Sequence, residues 1–196
     1  MSSIQSILVY CGSAKGRNSV YTEAAQRLGS VLAADKIQLI YGGGSIGLMG
    51  VVADAVMKNR GEVVGVIPKF LNVKEVGHGG LTSLIEVSTM HERKAKMEEM
   101  CDAAIALPGG YGTLDELFEI LTWSQLGLHK KPIGILNVNG YFNGLIAQLD
   151  TMVKEGFLSP ANRRLLVESD DVTELLNLLK NFQAESGTKW LERNQT

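Results

Sequence analysis

Hydrophobic positions along the chain fall into two alternating patterns. Short, predominantly apolar runs occupy residues 7–10, 37–41, 62–67, 84–87, 103–107, 132–136 and 165–167. Runs of this length without polar alternation predict strands buried on both faces. Between them, apolar residues recur at helical spacing over 21–34, 46–59, 90–101, 113–126, 142–155 and 172–182, which predicts amphipathic helices. In the first of these, Ala24, Leu28, Val31 and Leu32 share a face. Residues 69–81 carry neither pattern and hold Gly77, Gly79 and Gly80.

Doubly buried strands alternating with helices predict an α/β fold: a single doubly wound, mostly parallel, Rossmann-like sheet with helices on both faces. One domain is expected over residues 1–183, followed by a polar tail over 184–196. No internal repeat or low-complexity linker is visible. Ligands of such sheets bind beyond the carboxyl ends of the strands.

Composition narrows the function classes. Nineteen Lys and Arg oppose 21 Asp and Glu, for a net charge of −2. This excludes nucleic-acid binding driven by net positive charge and a polybasic membrane anchor. No apolar stretch approaches the ~18 residues that span a membrane. No basic region followed by an apolar run opens the chain, so a cytoplasmic protein is expected. Cys11 and Cys101 form no C-x-x-C pair and are expected to be buried. His78, His91 and His129 lack metal-ligand spacing, so no metal and no cofactor are expected. There is no G-x-S-x-G elbow and no Walker loop. Arg163-Arg164 and Lys130-Lys131 are expected at the surface or in packing.

The compositional oddity is glycine, 22 of 196 residues. Gly42-Gly43-Gly44-Ser45-Ile46-Gly47 joins a predicted strand to a predicted helix and satisfies G-x-G-x-x-G. Amides at such a helix start can cradle a phosphate; the alternative is a turn needed only for packing. Dinucleotide binding is disfavoured. The motif follows the second strand, and the next strand ends at Ile67-Pro68-Lys69 without the ribose-binding acid, Glu62 lying at its other end.

Pro108-Gly109-Gly110-Tyr111-Gly112-Thr113-Leu114-Asp115-Glu116 makes a second strand-to-helix glycine loop, with Thr113 adding a hydroxyl at the helix start. Capping offers another explanation, because Thr113-x-x-Glu116 has the spacing of a capping box. Two such loops in one small domain point to a phosphorylated ligand. In the helix that follows, Leu114, Leu117, Phe118, Leu121 and Leu128 project to one stripe. Glu116 projects elsewhere, beside Ile120 and Trp123. That apolar second face suits a partner subunit, a flat ligand or burial within the chain.

Over residues 90–101, Met90, Met97, Met100 and Cys101 share a stripe that contains Arg93, with Lys94 at its edge and His91, Glu92, Glu98 and Glu99 opposite. A guanidinium on a core face needs a carboxylate or a phosphate.

Together, Tyr41-Gly42-Gly43-Gly44 with Gly47-Leu48-Met49-Gly50, then Met90-His91-Glu92-Arg93-Lys94, then Pro108 to Glu116 resemble the "Lonely guy" (LOG) family of cytokinin-activating phosphoribohydrolases, over about residues 4–180. Relatives often carry the label lysine decarboxylase, but no pyridoxal-phosphate lysine motif is apparent. The resemblance implies hydrolysis of the N-glycosidic bond of N6-substituted adenosine 5′-monophosphates to free base and ribose 5-phosphate. It implies Arg93 and Glu116 as the catalytic pair. It implies Lys94, Gly110, Tyr111, Gly112, Thr113, Leu114, Asp115 and Glu75 as substrate contacts, and Ser13, Gly43 and Gly44 join that candidate set. It also implies a homodimer or larger homo-oligomer. On charge grounds, Arg93 is expected to hold Glu116 ionised and in place. A broader nucleotide 5′-monophosphate nucleosidase and a non-catalytic nucleotide carrier or sensor remain as alternatives.

Overall fold

A computed structural model describes residues 4–72 and 77–183. The expected tail, 184–196, and the candidate Glu75 lie outside the described residues. The strands are β1 (Ser6–Tyr10), β2 (Gln38–Tyr41), β3 (Val63–Pro68), β4 (Ser83–Val87), β5 (Ala103–Ala106), β6 (Ile133–Leu136) and β7 (Leu166–Ser169). They form a single seven-stranded sheet in the order β4-β3-β2-β1-β5-β6-β7. Every pairing between neighbouring strands is parallel.

The longer helices are α1 (Ser19–Ala34), α2 (Gly47–Lys58), α4 (Met90–Met100), α5 (Tyr111–Gln125), α6 (Asn143–Lys154) and α8 (Val172–Lys180). Two short helices, α3 (Lys69–Asn72) and α7 (Pro160–Arg163), were not expected from the sequence. The chain builds outward from β1 through β2 and β3 to β4. It then crosses back over α4 to β5, on the other side of β1. The order reverses there, so β1 and β5 flank the switch point at which doubly wound sheets open a crevice.

Alternate residues of each strand feed two cores. Ile7, Val9, Leu39 and Tyr41 pack with Leu28 and Leu32 of α1, Val52 and Val56 of α2, and Leu175 and Leu179 of α8. Leu8, Tyr10 and Ile40 pack on the other face with Met97 of α4, Leu117 and Ile120 of α5, and Leu149 of α6. Helices thus cover both faces, as the predominantly apolar runs require.

Side chains satisfy amide donors at several helix starts. Asn18 accepts from Val20 N–H, and Asp171 from Thr173 and Glu174 N–H. Thr89 accepts from Glu92 N–H, while the Glu92 carboxylate accepts from Ser88 N–H. This reciprocal cap fixes the start of α4 and the direction in which Arg93 leaves it. Among the described residues no helix is long and apolar enough to cross a membrane.

Candidate active site

The loops leaving β1 and β5 meet at the switch point. Gly12 N–H donates to Pro108 O at 3.0 Å, and Leu107 N–H to Tyr10 O at 2.8 Å. Gly12 O in turn accepts from Leu48 N–H at 3.0 Å. The β1 loop therefore takes up an amide at the start of α2 that an anion would use. It also accounts for Gly47, whose φ is +61° and where a Cβ would sit 2.2 Å from the Ser13 carbonyl carbon. Gly43 likewise has φ of +75°, and Gly44 bridges to Gly77 in an isolated antiparallel pair. The chain's own path accounts for Gly43 and Gly47 in the first loop.

The second loop differs. Residue Gly110 is the N-cap of α5 and makes no side-chain capping bond, so the helix begins at Tyr111, ahead of the expected Thr113. The expected capping box is therefore absent. Thr113 is buried inside the first turn, its hydroxyl where a Cβ on Gly109 would lie. Added Cβ atoms at Gly110 and Gly112 would meet nothing within 4 Å, and neither φ is positive. Glycine there answers no demand of the folded chain, and leaves two backbone units open to close approach from outside. Tyr111 between them is 95% exposed, Leu114 is half-buried and Asp115 is exposed. The Tyr141 hydroxyl donates to Gly109 O at 2.5 Å and steadies the loop, a contact with no local sequence signal.

Beneath this loop, α4 and α5 bring Arg93, Lys94, Asp115 and Glu116 together. Arg93 is 8% exposed. Its Nη2 donates to Gly42 O at 3.1 Å and its Nη1 lies 3.8 Å from Met90 Sδ. Its Nε is buried without a partner. The carboxylate expected to pair with it is not in contact: Arg93 forms no ion pair among the described residues. An uncompensated, dry guanidinium is an anion site in waiting.

Glu116 is half-buried and has no hydrogen-bond partner among the described residues. Burial pushes its carboxyl up to about 7; Arg93 and Lys94 pull the other way, and Asp115 and Glu119 add to the rise. Arg93 does act to hold Glu116 ionised, as expected, but burial outweighs the guanidinium. Tyr10 and Cys11, at the end of β1, have their acidities depressed by burial first and then by the Glu116 charge. Lys94 crosses from α4 to α5 and bonds Asp115 at 3.2 Å and Glu119 at 3.0 Å. Burial works against its charge, but these hydrogen bonds prevail and hold the ammonium above its ordinary value. Glu119 escaped the sequence reading because its partner sits on another helix.

Three further expectations are corrected. Ile120 does not face outward with Trp123: it is buried in the core beside Leu117, because the face of α5 turned to the sheet is Thr113, Leu117 and Ile120. Leu114, Phe118 and Leu121 are only partly buried, and Leu128 lies past the helix end. Glu98 is buried and ion-paired to Lys131 at 2.7 Å.

Residues 49–179 match the family described as possible lysine decarboxylase. The chain is 49% identical, over 91% of its length and 82% of the relative's, to the cytokinin riboside 5′-monophosphate phosphoribohydrolase LOG7 of Arabidopsis thaliana. It is 49% identical to the cytokinin riboside 5′-monophosphate phosphoribohydrolase LOG of Oryza sativa subsp. japonica, over 94% of this chain and 77% of that one. The chain belongs to the LOG family. Its fold is shared more widely. The molybdenum cofactor binding protein of Rippkaea orientalis superposes with a TM-score of 0.68 at 20% identity, over 91% of this chain and 98% of that one. The decarboxylase description finds no support at this LOG-family site. Schiff-base chemistry needs a neutral lysine, and Lys94 is held charged by two carboxylates.

Proposed function

We propose that the chain hydrolyses the N-glycosidic bond of N6-substituted adenosine 5′-monophosphates, releasing the free base and ribose 5-phosphate. The carrying observation is a buried guanidinium, Arg93, and a half-buried carboxyl, Glu116, neither of them in an ion pair among the described residues, under a glycine edge that the fold leaves open. Cleavage of a C–N glycosidic bond builds positive charge on the sugar. Glu116 supplies a negative charge at C1′ and receives a proton from the attacking water. The water oxygen bonds to C1′, and the C1′–N9 electron pair leaves with the base. Solvent protonates that base, since the Asp115 carboxylate is paired with Lys94. A carboxyl near 7 is suited to taking up and releasing a proton at neutral pH. The backbone at Gly110 and Gly112 and the Arg93 guanidinium hold the 5′-phosphate, and this binding positions C1′. Lys94, Tyr111, Thr113, Leu114, Asp115, Glu75, Ser13, Gly43 and Gly44 remain the proposed substrate contacts.

The assay compares N6-isopentenyladenosine 5′-monophosphate, AMP and N6-isopentenyladenosine. The substituted monophosphate should be turned over fastest and the riboside scarcely at all. Equal rates on the two monophosphates favour the broader nucleosidase; equal rates on nucleotide and riboside contradict the phosphate cradle. Partly buried Trp123 on α5 and Leu126 at its end support a homodimer, which light scattering checks; a monomer at assay concentration contradicts it. Two buried free cysteines suit a reducing cytoplasm.

A further inference from the structure

Lys94 reaches from α4 towards a helix turn that offers it three carboxylates: Asp115, Glu116 and Glu119. It takes the first and third, at 3.2 Å and 3.0 Å. Its side chain is 13% exposed, and Glu119 is 26% exposed against 68% for Asp115. Glu119 is the shielded partner, so its attraction for the ammonium is the less screened of the two. Glu116 lies between them in sequence and is left without a partner.

We propose that Glu119 is a positioning residue for the reaction: with Asp115 it holds the Lys94 ammonium and keeps it from pairing with Glu116. This rests on Glu116 being the reacting carboxylate. A lysine paired to Glu116 would occupy the oxygen that must meet water and C1′, and would keep that oxygen ionised far below neutral pH. Held off, Glu116 keeps a free oxygen and a proton affinity set by its own burial. The charged and titratable groups around Glu116 are Arg93 and Lys94 from α4, Asp115 and Glu119 from α5, and Tyr10 of β1 with Cys11 just after it. Removing the Glu119 charge acts on Glu116 in one direction twice over. It takes away a neighbouring negative charge, and it frees Lys94 to lean inward.

The test is the pH–rate profile of Glu119→Gln beside the parent, with N6-isopentenyladenosine 5′-monophosphate as substrate. Activity needs ionised Glu116, so the parent should lose rate on the acid side near pH 7. In Glu119→Gln that limb should move to lower pH by roughly one unit. The rate at pH 6 relative to pH 8 should then rise several-fold, with the plateau changed only a few-fold. Glu119→Asp, which keeps the charge, should return the limb towards the parent position. A structural role alone would lower the plateau and leave the limb in place; that result, or a limb moved to higher pH, overturns the proposal while Glu116→Gln remains inactive. Full turnover by Glu116→Gln overturns the proposal and the reading beneath it together.

Discussion

The Arg93 guanidinium fills the place that a side chain on residue 42 would take: a Cβ added to Gly42 would lie 1.8 Å from Nη2. The first glycine of the G-x-G-x-x-G loop is thus a socket for an arginine from a helix on one face of the sheet, and Gly42 O is its hydrogen-bond acceptor. The atom in the way is the far end of a flexible side chain, so it can swing aside without unfolding the protein. Gly42→Ala should therefore melt within a few degrees of the parent, yet lose about 100-fold or more in kcat/KM, the scale of one displaced preorganised charge. Thermal unfolding and nucleotide hydrolysis on the same sample check this. Unchanged hydrolysis would separate Arg93 from the chemistry.

Gly112 gives the opposite sign for stability. It lies in the first turn of α5 with open space where a Cβ would be. Alanine is the better helix former, so Gly112→Ala should stabilise by about 0.5–1 kcal/mol. If a phosphate approaches that backbone, the new methyl should raise KM at least about tenfold. A melt combined with substrate-concentration curves reads both effects. A stabilised variant with the parent KM would move the ligand away from this turn.

Glu116 costs the fold stability in a pH-dependent way. Its folded value, about 7, lies above the ordinary carboxyl value of 4.5, so the folded state holds the proton more tightly than the unfolded chain. There is no penalty below the unfolded value. The penalty grows as pH rises from there through 7 and is complete above it. Discounted for partial exposure, it is on the order of 1 kcal/mol. Glu116→Gln should therefore raise Tm by roughly 2–4 °C at pH 8, and the gain should vanish near pH 4.5. Melts of parent and variant across that window measure it; a gain independent of pH would mean that the carboxyl is not desolvated.

Much of this architecture is legible in the sequence because its strands are buried on both faces. Runs such as 103–107 need no periodicity analysis to be recognised. Helices Lys69–Asn72 and Pro160–Arg163 escape because four residues cannot display a helical period. Arg93 stands out as a cation in an apolar stripe, and the structure buries it. Its partner is harder to foresee, since a backbone carbonyl at the end of β2 has no sequence signature. The Thr113-x-x-Glu116 spacing suggests a cap, but the helix begins earlier, at Tyr111, with Gly110 as its N-cap. Ile120 is misplaced by projection alone: α5 is apolar on two sides, and periodicity does not say which side meets the sheet. Lys94 and Glu119 show the remaining gap, a pair that exists only because α4 and α5 pack into the same core on one face of the sheet.

The most direct test of the central claim follows ribose 5-phosphate release from N6-isopentenyladenosine 5′-monophosphate at pH 8 by the parent and by Glu116→Gln. Glutamine keeps the shape of the side chain and removes the charge proposed to face C1′. The parent should release free base and ribose 5-phosphate in equal amounts. The folded variant should release them about 100-fold more slowly or worse. Release within a few-fold of the parent would contradict the assignment of Glu116 as the carboxylate at C1′.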